Sequence, residues 1–63
     1  MSTVASEKLY EVALRIREMR EIVGYSIEEM AEKTEISQSL YQEYEAGTAD
    51  LPFTFKLRVL TIL

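Results

Sequence analysis

The side chains able to do chemistry in this chain are carboxylates. Eleven residues are Asp or Glu, while cysteine and histidine are both absent. Thiolate chemistry, disulfides, Cys/His zinc sites, Ser/His triads and imidazole acid–base catalysis are therefore excluded. Seven acids fall within residues 26–50: Glu28, Glu29, Glu32, Glu35, Glu43, Glu45 and Asp50. Paired carboxylates can exchange protons with a substrate when a pocket perturbs one of them. Here Glu28, Glu29 and Glu32 read instead as the solvated face of a helix, with the first two near the positive end of its dipole. No pocket and no metal-ligand cluster is evident around them. An enzyme is not expected, nor is a cofactor or a metal.

The elements that carry these groups must fit into 63 residues, enough for one small domain over residues 1–63. The composition is 48% hydrophobic and 29% charged, with two Gly and one Pro, which excludes disordered and collagen-like classes. A domain this size buries only about 60% of its unfolded surface, so its core is small. No apolar run approaches the ~18–20 residues of a membrane span. No secretory leader opens the chain, so the expected address is cytoplasmic and no membrane partner is expected. The net charge of −4 is at odds with the basic face usual in nucleic-acid binders.

Three helices are legible. In the first, from about Ser6 to Val23, Leu9, Val12, Ala13, Ile16, Met19 and Val23 repeat at helical spacing. Ser6 is its expected cap and Gly24 its stop. The second begins at a capping box, Ser26-Ile27-Glu28-Glu29, flanked by Tyr25 and Met30 in staple positions. The third has Ser37 as cap, Ile36 and Tyr41 as staple, and Gly47 as stop. Only the residues from Thr34 to Ile36 separate the second and third, so the two form a helix-turn-helix unit. The first helix supplies the apolar face on which the unit packs.

The tail can be read in two ways. Phe53 to Val59 alternates apolar and polar residues, as a strand does. Phe53, Leu57 and Leu60 also repeat at helical spacing, with Thr54 as a cap. Helix is favoured because helical neighbours offer no partner strand. The chain stops within an apolar run, Val59 to Leu63, so we expect either a C-terminal truncation or a surface that another element or chain covers.

From Leu14 to Leu60, about three quarters of the chain, the sequence resembles the Cro/repressor-type (Xre-like) helix-turn-helix domain. The matching segments are Ile16 to Arg20, Gly24 to Lys33, Ile36-Ser37, Tyr44-Glu45-Ala46-Gly47 and Pro52, in order and without insertion. The wording Tyr44 to Gly47 and Asp50 to Phe53 is closest to bacterial transcription regulators that join this domain to a cupin sensor. The resemblance implies an all-α, lambda-repressor-like bundle of four helices, with a fifth in a longer protein.

It also implies a partner, double-stranded operator DNA, bound as two half-sites by a homodimer, with a sensor domain downstream in the longer protein. In the family the third helix enters the major groove and its N-terminal residues touch base edges. Carried over, the readers are Ser37, Gln38, Ser39 and Gln42. Gln38 is the foremost, because its amide can pair bidentately with adenine. Ser37 doubles as helix cap. Arg20 and Glu45 match the ion pair that holds the reading helix at its angle.

Three positions depart from the family. Ile27 stands where a glutamine commonly clamps a phosphate, leaving only its backbone N–H for that task. Glu35 stands where the turn usually has glycine, at a cost of about 1 kcal/mol if its φ is positive. Glu43 occupies a place that commonly faces the DNA backbone with a basic or amide side chain, although a carboxylate can accept from cytosine N4. The charge is also uneven. Residues 26–50 hold seven acids and one base, while the remainder holds four acids and six bases. Phosphate neutralisation by the unit that should meet DNA is therefore poor. A competing reading follows, in which the frame is a protein-interaction or dimerisation module and the tail from Phe53 to Leu63 docks its partner.

Overall fold

In a computed structural model the backbone is described for residues 3–63 and the side chains for residues 8–63. Among the described residues the secondary structure is entirely helical: α1 (Thr3–Val23), α2 (Ile27–Thr34), α3 (Gln38–Ala46) and α4 (Phe53–Ile62). The protein is an all-α bundle with a helix-turn-helix unit in α2 and α3.

The local chemistry explains most of the boundaries. α1 starts at Thr3, so Ser6 lies within the helix rather than at its cap, and the Ser6 side chain is outside the described residues. α1 ends at Gly24, whose φ of +97° suits a residue without Cβ. The amides of Gly24 and Tyr25 both donate to the Arg20 carbonyl, at 2.9 and 3.1 Å. α2 opens on a complete capping box. The Glu29 amide donates to Ser26 Oγ at 3.0 Å, and the Ser26 amide donates to Glu29 Oε1 at 2.8 Å. At the start of α3 the Leu40 amide donates to Ser37 Oγ at 3.1 Å.

Both helices of the unit end in the same way. Glu35 has φ +61°, its amide donates to Glu32 O, and the Ile36 amide reaches Ala31 O at 3.1 Å. Gly47 has φ +75°, with Gly47 donating to Tyr44 O and Thr48 to Glu43 O. These paired bonds are Schellman motifs. The first is built on a glutamate, in a backbone region that costs an L-residue about 1–2 kcal/mol.

The tail is helix, not strand. Phe55 and Val59 are buried four residues apart, and the Phe55 ring packs on Tyr44 and Tyr41 with centroids 4.5 and 5.9 Å away. A strand would have turned alternate residues to a partner that the bundle does not offer. Thr54 does not cap α4. Pro52 holds that place with extended backbone, no side chain caps the end, and Thr54 is the second helical residue.

Ile16, Met30, Tyr41, Tyr44, Phe55 and Val59 form the centre of the core. Tyr25 and Ile36, the outer staple residues, pack against it partly buried. The apolar stripe of α1 is only partly covered. Ala13 and Ile16 are buried, whereas Val12, Met19 and Val23 remain exposed. The stripe is wider than the line along which α1 meets α3, and one of its buried positions is taken by Arg20.

Candidate functional site

α3 carries its polar residues outward. Gln38, Ser39, Gln42 and Glu43 are all exposed. Gln38 and Gln42 lie one turn apart, so their amides share a face. Ser37 is exposed too, and its Oγ is already an acceptor for the helix cap. A hydroxyl has a second lone pair and a proton of its own, so capping leaves it able to donate elsewhere. At the start of α2 the capping box engages the amides of Ser26 and Glu29 and leaves that of Ile27 outside it. The Ile27 side chain is half-buried against the core.

The orientation of α3 is fixed by a polar cluster under it. Arg20 Nε donates to Glu45 Oε2 at 2.6 Å and Nη2 to Oε1 at 3.2 Å, a two-pronged pair between α1 and α3. A third donor, Nη1, reaches the Tyr25 carbonyl at 2.9 Å in the loop before α2. The Tyr41 hydroxyl, one turn before Glu45, donates to Oε2 at 2.5 Å. The two charged side chains are almost out of solvent, at 10% exposed for Arg20 and 6% for Glu45. The hydrogen bond that Arg20 donates to Glu45 outweighs burial and raises the Arg20 pKa above its ordinary value. Burial, and then the bond to Glu45, push the Tyr41 phenol well above its ordinary value of 10.0. One guanidinium thus ties α1, the α1–α2 loop and α3 together.

A second clamp lies at the turn. Arg58 of α4 donates from Nη1 to the Thr34 carbonyl at 3.1 Å, and the same nitrogen is 3.3 Å from Glu35 Oε1. It satisfies an open carbonyl at the end of α2 and offsets the charge of the strained turn residue. Thr34, buried beneath, donates from Oγ1 to Met30 O at 2.7 Å. The single base of the 26–50 segment is also engaged, with Lys33 Nζ 4.9 Å from the centroid of the Tyr25 ring.

Beside the exposed face of α3 lies an open hollow of about 280 Å³, lined by Arg17, Ile27, Gln42, Glu45 and Ala46. The structure therefore brings Gln42, Ile27 and Glu45 to one place and adds Arg17. Gln38, Ser39 and Glu43 stand on the exposed surface of α3 outside that lining. Sequence reasoning missed Tyr41, Arg58 and Arg17. The spacing of Tyr41 and Glu45, one helical turn, was an available signal for the first. Nothing local marks Arg58, whose partners lie 23 and 24 residues earlier in the chain. Among the described residues no group of three or more Asp or Glu side chains is placed to hold a metal ion. No described helix is long and apolar enough to cross a membrane.

Residues 13–62, most of the chain, match the family described as a helix-turn-helix domain. No curated protein and no solved structure matches the chain.

Proposed function

Starting from the chain's membership of the helix-turn-helix domain family, we propose that it is a sequence-specific DNA-binding module that reads the major groove with α3. The observation that carries this reading is the pairing of an exposed polar face with a fixed helix angle. Gln38, Ser39 and Gln42 are unburied, while Arg20, Glu45 and Tyr41 hold the backbone beneath them. Amide side chains on a positioned helix suit base-edge hydrogen bonding, with adenine the natural partner of Gln38. Glu43 is the one side chain among the readers that can only accept, suited to cytosine N4.

The finer reading is a bacterial transcription regulator of the Cro/repressor type, cytoplasmic and dimeric, with a sensor domain, cupin in the closest wording, in a longer protein. Dimerisation follows from energetics. One short helix touches few bases and the unit neutralises few phosphates, so two half-sites are needed for useful affinity. No catalysis is assigned to the carboxylates.

One observation favours the second reading, a protein-interaction module. α4 is apolar on both faces: Phe55 and Val59 are buried, yet Phe53 is 72% exposed, Leu57 46% and Leu60 70%. The exposed trio lies opposite the buried pair, with Thr54, Lys56, Arg58 and Thr61 between the two stripes, and an exposed apolar stripe of this kind is one that a partner can cover. Both readings are tested by titrating random-sequence duplex DNA at rising salt, beginning at ~50 mM. DNA binding predicts measurable affinity that falls steeply with salt. No binding at ~50 mM salt and high protein concentration would overturn it in favour of the interaction module. Sedimentation equilibrium of the same chain tests the dimer.

A further inference from the structure

We infer that the hollow between α1, α2 and α3 is a site for one backbone phosphate, with Arg17 supplying the charge that Ile27 cannot. This rests on the DNA-binding reading. Arg17 and Gln42 are the polar side chains of the lining that face solvent, and both donate. Ile27 and Ala46 are the apolar part of the lining, of the kind a deoxyribose can lie against. Glu45 also lines the hollow, but its two oxygens are already taken by Arg20 and Tyr41, and its charge is balanced by Arg20. Among the described residues Arg17 itself is held only by Glu21, at 3.5 Å, with both side chains more than half exposed. So loose a surface pair competes weakly with a phosphate, to which a guanidinium can offer two parallel donors.

The other cations do not meet this description. Arg20 is buried in its pair, Lys33 lies over Tyr25, and Arg58 is turned to Thr34 and Glu35. Lys8, Arg15 and Lys56 line hollows of α1 and α4 that include no residue of α3. Arg17 shares its hollow with Gln42, one turn beyond Gln38 on the reading face. A phosphate held there would flank the bases that α3 reads. The acidic unit would then gain its phosphate contact from α1, outside residues 26–50.

The test is the salt dependence of binding to a random-sequence duplex, for the 63-residue chain and three variants. Arg17→Gln should weaken binding about tenfold at ~50 mM salt and reduce the slope of log K against log salt by about 0.9, the value for one phosphate. Arg17→Lys should keep the slope, and Arg15→Gln, two residues away on α1, should keep both slope and affinity. Arg17 is exposed, so circular dichroism and melting of Arg17→Gln should match the parent. An unchanged slope in Arg17→Gln overturns the site. An equal loss in Arg15→Gln also overturns it, since the effect would then be diffuse charge. Absence of binding by the parent chain instead overturns the DNA-binding reading and takes the site with it.

Discussion

Arg20 and Glu45 lie 25 residues apart in sequence and meet through two hydrogen bonds, at 2.6 and 3.2 Å, in a nearly solvent-free position. Their pairing joins the long first helix to the end of α3. The third arginine donor, on the Tyr25 carbonyl, extends that hold to the loop ahead of α2. Planar bidentate geometry sets orientation as well as distance, and an ammonium group could not reproduce it.

Arg20→Ala should therefore be severe. It leaves the Glu45 carboxylate buried with only the Tyr41 hydroxyl as partner. Breaking a buried pair from one side typically costs about 3–5 kcal/mol. At roughly 0.05–0.15 kcal/mol per residue, a domain of this length has about 3–9 kcal/mol in all. The variant should be largely unfolded at 25 °C, or retain only a shallow urea transition by circular dichroism. A midpoint close to that of the parent would show that the pair contributes nothing to folding. Arg20→Lys should fall between the two, keeping a charge but losing the two-pronged fit.

What the sequence made legible was local. The Ser26–Glu29 box and the Ser37 cap need only a few neighbouring residues, and both form as their spacing implies. Ser6 and Thr54 resemble caps just as closely, yet α1 begins at Thr3 and α4 at Phe53. In α4 the burial of Phe55 against Tyr44 sets the register, and no short window contains that contact. The covered width of α1 is equally non-local, since it depends on how many helices reach it. The residues carried to the site by family resemblance stand on or beside α3. Arg17 and Arg58 escaped notice because their roles arise from distant elements meeting.

Alkaline pH should expose the contribution of Tyr41. Burial and the bond to Glu45 raise its pKa in the folded chain, while the unfolded chain keeps the ordinary value near 10.0. Above pH ~10 the unfolded state has already released this proton and the folded state has not, so the unfolded state binds fewer protons and stability falls as pH rises. The contribution is fully present below pH ~10. Tyr41→Phe should lose about 1.5–3 kcal/mol at neutral pH, the worth of a hydrogen bond to a charged group. It should also flatten the decline between pH ~10 and ~12. Urea melts of both proteins across that range measure the effect, and parallel slopes would remove Tyr41 as its source.

Glu35 invites a comparison of two small residues. Its φ of +61° is a region open to glycine and costly for any residue with a Cβ. Glu35→Ala and Glu35→Gly both lose the exposed contact with Arg58, so that loss cancels between them. What remains is backbone strain of about 1–2 kcal/mol against the greater unfolded-state freedom of glycine, about 0.5–1 kcal/mol. Glu35→Gly should be more stable than Glu35→Ala by up to about 1 kcal/mol, the reverse of the order inside a helix. Thermal melting of the pair decides it, and a more stable alanine variant would mean the turn relaxes out of the left-handed region.

In the proposed function, Gln38 is the residue on which base reading most depends. It is the first residue of α3, directly after the cap, and its amide is exposed. Because the side chain is not part of the core, Gln38→Ala should leave folding within about 0.5 kcal/mol of the parent. Against operator DNA selected from a random pool, the same change should cost about 1–3 kcal/mol and relax preference at a single base position. Binding to random duplex should hardly change, since an amide neutralises no phosphate. That combination separates a base reader from a polar surface residue and from a phosphate contact. Equal losses on operator and random DNA would make Gln38 a backbone contact, while no loss on either would move the reading to Ser39, Gln42 and Glu43.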